Sequence, residues 1–332
     1  MLSKVFITGG TGFLGSYIIK ELVERGYAVK ALRRSAKLPF YISPSVFTNV
    51  EWVDGDVLDV AVLQEAMKDV DAVIHAAATV SFHREDRGHM YKVNIDGTAN
   101  MVNVAIENNI SRFVHVSSVA AIGRSNTGDE VTEEKKWENG SINTHYAKTK
   151  YCAEMEVWRG MGEGLDVIIA NPSTIVGYGD WNSSSCSLFK TVYNGFPWYS
   201  DGINGFVDVE DVARATVLLM ESSISGERFI VNSDNWPFQT LFNRIADTFG
   251  SKRPWRKATP FLGQIAWRVE KIKSLFTGKK PPITRENAKV AHSKTYFSNR
   301  KIREALPGFS FTPLDQSIEN AGKKYLNPLQ PH

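Results

Sequence analysis

Short apolar segments rich in β-branched residues alternate with amphipathic segments through the first half of the chain. The apolar segments predict six strands, at residues 4–7, 27–32, 50–53, 72–75, 113–116 and 167–170. Apolar residues at helical spacing predict helices between them, at about residues 17–25, 57–68, 84–108 and 143–161. Strands that alternate with helices form a parallel sheet covered on both faces, so the pattern predicts an α/β fold with a doubly wound parallel sheet.

The alternation becomes less regular in the second half of the chain. Residues 206–220 predict a strand end followed by a helix, and residues 229–231 predict a further strand, after which the pattern is mostly helical. We therefore expect a sheet domain over residues 1–170 and a smaller, mostly helical α/β lobe over residues 171–332. Because no linker separates them, some segments of the lobe are expected to return to the sheet domain.

A glycine-rich segment, Thr8-Gly9-Gly10-Thr11-Gly12-Phe13-Leu14-Gly15, joins the first predicted strand to the first predicted helix. Glycines allow the backbone to approach a pyrophosphate, and the free N–H groups at the start of a helix bind its charge. The spacing Gly9-x-x-Gly12-x-x-Gly15 is looser than the usual G-x-G-x-x-G fingerprint, so a purely structural turn is the alternative. We predict that this segment, called the glycine loop below, binds a dinucleotide.

Tyr146 and Lys150 lie one helical turn apart on the predicted helix over residues 143–161. A phenol has an ordinary pKa of about 10, and roughly 4 kcal/mol separates it from a base that works near neutral pH. An ammonium about 4 Å away supplies roughly that energy at an effective dielectric constant near 20. We therefore expect Lys150 to lower the pKa of Tyr146, and Ser118 to donate a hydrogen bond to the substrate oxygen. A solvent-exposed helix face is the alternative explanation for the pair.

Two arginines, Arg33 and Arg34, follow the second predicted strand. Sites that prefer NAD(H) typically have an acidic residue about 20 residues beyond the glycine loop, where it holds the ribose 2′-hydroxyl. Guanidinium groups at this position suit a 2′-phosphate instead. We therefore predict NADP(H) as the cofactor in preference to NAD(H), with a solvated arginine pair as the alternative.

Taken in order, the motifs of this chain resemble those of the extended short-chain dehydrogenase/reductase superfamily, of the NAD-dependent epimerase/dehydratase type. The resemblance covers about residues 3–230, and the C-terminal third matches only loosely. Besides the glycine loop, the matching segments are Asp54-Gly55-Asp56, His75-Ala76-Ala77-Ala78, Asn94-Ile95-Asp96-Gly97-Thr98, Val116-Ser117-Ser118, Tyr146-x-x-x-Lys150, Asn171-Pro172-Ser173-Thr174-Ile175-Val176-Gly177 and Phe206-Val207-Asp208-Val209-Glu210-Asp211-Val212-Ala213. The resemblance implies a Rossmann domain followed by a substrate-binding lobe.

Position by position, the resemblance implies that Tyr146 is the catalytic acid/base, Lys150 its activator and Ser118 the hydroxyl that polarises the substrate. It also implies that Asn94 is a structural helix residue near the site. Together with Arg33 and Arg34, the expected cofactor-binding residues are Gly9, Thr11, Gly12, Phe13, Leu14, Gly15, Asp56, Val57, Ala76, Ala77, Ala78, Ser117, Tyr146, Lys150, Pro172 and Ser173.

Three functions fit the resemblance. The favoured one is an NADP(H)-dependent oxidoreductase that reduces a ketone or aldehyde, or oxidises a secondary alcohol, of an apolar or aromatic small molecule, as in dihydroflavonol-4-reductase-like and 3β-hydroxysteroid-dehydrogenase-like members. The second is a nucleotide-sugar epimerase or dehydratase, and the third is a non-catalytic sensor that only binds NAD(P). A sensor has no need of an intact Ser118, Tyr146 and Lys150.

The second lobe favours the reductase over the sugar enzyme. Nucleotide-sugar enzymes of this type commonly carry an arginine just before the aromatic residue at position 206, to hold the diphosphate, whereas this chain has Asn204-Gly205. An apolar or aromatic ligand is favoured by the density of aromatic residues in the candidate loops, namely Tyr178, Trp181, Phe196, Trp198, Tyr199 and Phe206.

Composition and charge narrow the partners, the location and the metal content that we expect. A net charge of +3 on 332 residues does not favour nucleic acid as a partner. Two cysteines allow no disulfide framework, and with no signal peptide and no apolar run of transmembrane length we expect a cytoplasmic protein. No metal site is expected, because the spacing of His83 and His89 fits no metal template. His75 and His115, on predicted strands, are expected to be core residues with satisfied hydrogen bonds.

Two expectations concern surfaces. The segment 261–280 is amphipathic and basic, so it could touch lipid, but packing of its apolar face on the protein is favoured. Stable insertion into a membrane is not expected. The resemblance also implies a possible homodimer, formed through the predicted helices near 84–108 and 143–161.

Overall fold

The computed structural model describes residues 2–125, 128–138, 143–278, 280–281 and 284–327. Its strands are β1 (Lys4–Thr8), β2 (Ala28–Arg33), β3 (Glu51–Asp54), β4 (Ala72–His75), β5 (Arg112–Val116), β6 (Glu130–Val131), β7 (Val167–Pro172), β8 (Thr174–Val176), β9 (Trp198–Tyr199), β10 (Ile203–Asp208), β11 (Glu227–Val231), β12 (Asp234–Pro237), β13 (Arg256–Lys257) and β14 (Tyr296–Phe297). The two-residue strands form two small sheets, in which β6 pairs with β14 and β9 pairs with β13.

Seven of these strands form one parallel sheet in the order β11-β7-β5-β4-β1-β2-β3. The strand order reverses at β1, as in the doubly wound fold that binds dinucleotides at this point of the sheet. The predicted α/β fold with a Rossmann sheet is therefore confirmed. A smaller sheet, β12-β10-β8, lies beyond it and combines one antiparallel with one parallel pairing.

The helices that flank the sheets are α1 (Phe13–Glu24), α2 (Val60–Met67), α3 (Arg87–Tyr91), α4 (Gly97–Glu107), α5 (Val119–Ile122), α6 (His145–Gly162), α7 (Ser187–Tyr193), α8 (Val209–Glu221), α9 (Phe238–Thr248), α10 (Pro260–Thr277), α11 (Arg285–Val290), α12 (Arg300–Ala305) and α13 (Leu314–Leu326). A π-helical turn, Lys92–Asp96, joins α3 to α4. The helix predicted from residue 84 therefore begins at Arg87, three residues later than expected. The helix predicted from residue 143 begins at His145, because the Thr144 hydroxyl caps its N-terminus. Pairing of two copies through these helices stays a prediction.

Alternate residues of the central strands face two separate hydrophobic layers. Val5 and Ile7 of β1 pack with residues of α1 and α8, whereas Phe6 packs with residues of α4 and α6. Full burial of an apolar side chain of this size contributes roughly 1.5–3 kcal/mol. The two layers hold both faces of the sheet, and this leaves the loops at its carboxyl edge to form a site.

Helix α10 exposes its apolar side chains, contrary to the expectation that they pack on the protein. Phe261, Ile265 and Ile272 are 72%, 44% and 56% exposed. Helix α10 lies close to α11 at Gly263, where a Cβ atom would lie 3.9 Å from Ala288. None of the described helices is long and apolar enough to cross a membrane. The cytoplasmic location stays a prediction.

The two strand histidines differ, although both are fully buried and their rings lie 5.3 Å apart. His75 contacts the Thr8 hydroxyl at 2.8 Å and the Thr98 hydroxyl at 3.0 Å, so the expectation of satisfied hydrogen bonds holds for it. It is wrong for His115, because neither ring nitrogen finds a partner among the described residues. Burial lowers the pKa of His75 to about 3 and that of His115 well below its ordinary value.

This difference predicts opposite effects of two matched substitutions. At pH 7, His75→Leu should lower the free energy of unfolding by about 1–3 kcal/mol, because two buried hydroxyls lose a partner. His115→Leu should cost much less or stabilise the protein, because it removes two unpartnered nitrogens. Urea unfolding of both variants measures this, and an equal loss of stability in the two would contradict it.

The same histidines predict a pH dependence. Their pKa values are depressed in the folded state, so below about pH 6.5 the unfolded chain binds protons that the folded chain does not. The free energy of unfolding should therefore fall as the pH falls from 6.5 towards 3, by up to about 1.4 kcal/mol per pH unit for each histidine. His115→Leu should make this slope shallower between pH 6.5 and 5, and an unchanged slope would contradict the assignment.

Candidate active site

A cavity of about 1130 Å³ opens at the carboxyl edge of the seven-stranded sheet. The residues predicted to be catalytic or cofactor-binding all line it, namely Gly9, Thr11, Gly12, Phe13, Leu14, Gly15, Arg33, Arg34, Asp56, Val57, Ala76, Ala77, Ala78, Ser117, Ser118, Tyr146, Lys150, Pro172 and Ser173. They meet because β1, β2, β3, β4, β5 and β7 run parallel and end at one edge. The structure thus brings the predicted set together, while the role of each residue stays a prediction.

The glycine loop is packed too closely for side chains at two of its positions. A Cβ atom at Gly15 would lie 2.1 Å from the carbonyl oxygen of Gly9, and one at Gly9, where φ is +75°, would lie 2.8 Å from the backbone nitrogen of Ala77. Gly12 begins α1 without a side-chain hydrogen bond to cap the helix. The N–H groups of the first turn are therefore available, and the loop fits a pyrophosphate.

Arg33 and Arg34, at the end of β2, both line the cavity, but they differ in their contacts. The Nε of Arg33 donates to Asp54 at 2.8 Å, and its guanidinium lies 5.5 Å from the centre of the Trp52 ring. Arg34 is 65% exposed, and its nearest carboxylate oxygen, on Asp56, is 3.8 Å away. Arg34 is therefore the arginine with more freedom to meet an anionic ligand.

Asn94 ties three parts of the site together from the π-helical turn. Its amide exchanges hydrogen bonds with the backbone of Thr79, at 2.7 and 3.0 Å, and donates to the Thr149 hydroxyl at 2.9 Å. Thr149 in turn donates to the carbonyl of Tyr146 at 2.8 Å. Asn94 thus fixes the loop after β4 relative to the helix that carries Tyr146, which is consistent with the expected structural role. π-Helical turns often occur at such sites.

The environment of Tyr146 differs from the expectation. Burial raises the pKa of Tyr146 above its ordinary value of 10, and a side-chain hydrogen bond with Ser118 opposes part of that shift. Its ring packs edge-on against Phe82, with the ring centres 6.3 Å apart. The expected lowering of this pKa by Lys150 is therefore wrong for the chain by itself, and the phenol is protonated at neutral pH.

Lys150 is almost completely buried, with 2% of its surface exposed. Its Nζ donates to the carbonyl oxygen of Val116, at 2.9 Å, at the end of β5. Burial lowers the pKa of Lys150 to about 8, and the charge of Glu154 limits the decrease. The ammonium is therefore mostly charged at pH 7, at the end of the strand that leads to Ser118.

Glu154 is a residue that the sequence interpretation missed. It lies one turn after Lys150 on α6, is completely buried and accepts a hydrogen bond from the Asn171 amide at 2.5 Å. The same amide donates to the backbone carbonyl of Ser118 at 3.0 Å, and the guanidinium of Arg228 lies 3.3 Å from Glu154. Glu154 therefore acts on Lys150 through its charge and is held by the same amide that holds the backbone of Ser118. The feature of the sequence that could have identified Glu154 is its position four residues after Lys150 on the same predicted helix.

The substrate side of the cavity has a different lining from the predicted one. None of the six aromatic residues expected there is among the described lining residues. Trp181 stacks on Tyr325, and Phe206 packs against Phe238. Apolar residues from distant parts of the chain line the cavity instead. We call them the apolar wall: Phe82, Ile175, Leu188, Phe238, Val290 and Phe297.

Polar atoms also face this region. The Ser173 hydroxyl and the Asn204 carbonyl oxygen are buried and have no hydrogen-bond partner among the described residues. Both residues line the cavity, as do His83 and Asp86. Unpaired buried polar atoms are costly, so at this position they suit a ligand that bonds to them. The described residues contain no cluster of His, Cys, Asp and Glu side chains that could hold a metal ion.

Comparison with known proteins adds to this geometry. A model of the NAD dependent epimerase/dehydratase family matches residues 5–232. A Synechocystis sp. protein named as a dihydroflavonol 4-reductase is 29% identical over 329 residues, which cover 97% of this chain and 94% of the relative. Sterol demethylase protein B from Methylococcus capsulatus is 29% identical over 282 residues, which cover 83% of this chain and 84% of the relative. The crystal structure of gox2253 is 29% identical, has a TM-score of 0.82 and covers 98% of both chains.

The network around Glu154 predicts the titration of Lys150. Glu154→Gln keeps the hydrogen bond with Asn171 but removes a negative charge, so the pKa of Lys150 should fall further below its value of about 8. The lysine Nζ chemical shift measures this pKa, with the signal assigned by its loss in Lys150→Met.

Glu156→Gln is the matched control, because Glu156 lies on the same helix and pairs with Arg159 at the surface. It should leave the pKa of Lys150 unchanged. An unchanged pKa in Glu154→Gln, in a variant whose melting temperature shows that it is folded, would show that Glu154 does not act on Lys150.

Proposed function

The chain belongs to the NAD dependent epimerase/dehydratase family, and from this membership we propose that it uses NADP(H) to reduce a ketone or aldehyde of an apolar or aromatic small molecule. It is an NAD(P)-dependent oxidoreductase of the extended short-chain dehydrogenase/reductase type. The observation that carries the proposal is that the protonated phenol of Tyr146 lines the same cavity as the glycine loop and the apolar wall. Oxidation of a secondary alcohol is the reverse of this reaction.

The cofactor would be held at the end of the cavity where the strands β1 and β2 end. The glycine loop fits the pyrophosphate, and Arg34 is the cation best placed to meet a 2′-phosphate. Pro172 and Ser173, at the end of β7, would border the reactive ring. When bound, NADP(H) supplies or accepts the hydride.

The protein's own contribution is to supply a proton and to exclude water. Because burial keeps the Tyr146 phenol protonated, its Oη is suited to donate a proton to a carbonyl oxygen as negative charge develops there. The Ser118 hydroxyl, which bonds to Tyr146, would donate a second hydrogen bond to the same oxygen. The charge of Lys150 would then stabilise the phenolate that remains.

The substrate class is proposed from the apolar wall. Phe82 packs on the ring of Tyr146, and Phe238 lines the same cavity. Such a wall suits a ring system and removes water from the reacting carbonyl. Two relatives support this class, because their names refer to a dihydroflavonol and to a sterol.

Substitution of the proton donor tests the proposal. Tyr146→Phe should lower kcat by about 10²–10⁴-fold, because only the Oη atom is removed, while the Kd for NADPH stays nearly unchanged. Tyr151→Phe is the control, since Tyr151 lies on the same helix but stacks on Trp137. Steady-state oxidation of NADPH with a panel of aryl ketones and aldehydes measures the effect, and retained activity in Tyr146→Phe would remove Tyr146 from this role.

The same panel separates the reductase from its alternatives. UDP- and GDP-sugars tested in parallel should give no product, since Asn204, where sugar enzymes have an arginine, instead bonds to the Thr174 hydroxyl. Turnover confined to the sugars would identify an epimerase or dehydratase. NADPH binding without turnover in either set would identify a sensor.

Cofactor preference gives a separate prediction. The wild-type protein should have a higher kcat/KM with NADPH than with NADH, and Arg34→Ala should lower this ratio by roughly 10–100-fold, as expected for loss of a charged hydrogen bond. Arg33→Ala should lower it less, because Arg33 is already paired with Asp54. A wild-type preference for NADH would contradict the proposal of NADP(H).

A further inference from the structure

Arg124 is a positively charged residue on the substrate side of the cavity. It follows α5 and Gly123, whose φ of +92° turns the chain after Ser118 and α5. The Nη1 of Arg124 donates to the Ser293 hydroxyl at 2.9 Å and lies 3.5 Å from the Thr295 hydroxyl. These two hydroxyls belong to the segment before β14, so the guanidinium is anchored from the second lobe and faces the cavity.

The charge of Arg124 has no carboxylate partner among the described residues. Other arginines near the second lobe have carboxylate partners: Arg87 pairs with Glu286 at 2.6 Å, and Arg228 with Glu154 at 3.3 Å. Burial lowers the pKa of Arg124 to about 10, and no opposite charge counters that effect. Arg124 is half-buried, so water screens its charge only in part, and a ligand of opposite charge would offset the cost of placing this charge in the cavity.

The other charged groups of the cavity do not neutralise it. Asp86 is bound by the ammonium of Lys280 at 2.7 Å and by the Ser81 hydroxyl at 2.7 Å. His83 adds no negative charge. The hydrogen bonds that Arg124 makes with the described residues use only Nη1, which leaves Nε and Nη2 for two parallel bonds to an oxyanion.

We propose that Arg124 binds an oxyanion of the substrate, so that the substrate is an apolar or aromatic carbonyl compound that also carries a carboxylate or phosphate group. This inference rests on the proposed reduction and narrows its substrate class. The apolar wall holds the ring system, Tyr146 and Ser118 meet the carbonyl oxygen, and Arg124 fixes the opposite end of the molecule. A bidentate pair of this kind orients the substrate as well as binding it.

Matched substrates test the inference through turnover. The probes are 4-formylbenzoate, 4-formylphenyl phosphate and the neutral methyl 4-formylbenzoate, each with NADPH. The wild-type protein should have a kcat/KM at least 10-fold higher for an anionic probe than for the ester, mainly through a lower KM. The anionic probe with the higher value identifies the group as a carboxylate or a phosphate.

Variants of Arg124 then assign the preference. Arg124→Gln should reduce the ratio of kcat/KM for the anionic probe to kcat/KM for the ester to near one. Arg124→Lys should keep part of this ratio, because a lysine keeps the positive charge but lacks the two parallel N–H donors of a guanidinium. Arg256→Gln is the control, since Arg256 is exposed and lies over Trp198. An unchanged ratio in Arg124→Gln, or a wild-type ratio near one, would overturn the inference while leaving the reduction intact.

Binding without turnover keeps the two proposals separate. 4-Methylbenzoate and 4-methylbenzamide are titrated calorimetrically into the protein saturated with NADP⁺. The wild type should bind the acid at least 10-fold more tightly than the amide, and Arg124→Gln should abolish the difference. If this holds but no aldehyde is reduced, the oxyanion site stands and the proposed reduction is wrong. Equal binding of acid and amide by the wild type would show that Arg124 does not bind the anion.

Discussion

The buried ammonium of Lys150 is the constraint on which the site depends. A charge with 2% exposure is stable only if protein groups replace water, and here the Val116 carbonyl and the charge of Glu154 do so. These partners belong to β5 and α6, and Glu154 extends the contact to Asn171 of β7. The helix that carries Tyr146 is thereby fixed to two neighbouring strands of the sheet, at the edge where the glycine loop lies.

This arrangement divides the cavity into parts with different chemistry. The glycine loop and the exposed Arg34 provide N–H groups and positive charge for a nucleotide. The protonated Tyr146, the apolar wall and Arg124, which has no carboxylate partner among the described residues, line the same cavity. One cavity can thus hold a nucleotide and a carbonyl compound together, which is the physical basis of the proposed reduction.

The hydrophobic pattern and the motifs of the sequence predicted those features that depend on residues close together in the chain. The parallel sheet, the glycine loop and the meeting of Ser118 with Tyr146 follow from parallel strands that end at one edge, and family membership is confirmed. The pattern could not show which aromatic residues reach the cavity, because Phe82 and Phe297 come from distant parts of the chain. The sequence pattern also showed that α10 has an apolar side, but it could not show that this side faces solvent. It showed the spacing of Tyr146 and Lys150, but it could not show the burial that raises the pKa of the Tyr146 phenol.

Transfer of deuterium from the cofactor tests the central claim most directly. The protein is incubated with NADPH that carries deuterium at the transferable position and with its best carbonyl substrate, and the alcohol is analysed by mass spectrometry. The account predicts one deuterium on the new carbinol carbon of the product, and its loss together with turnover in Tyr146→Phe. A product without deuterium, or a protein that returns all deuterium to the cofactor, would contradict it.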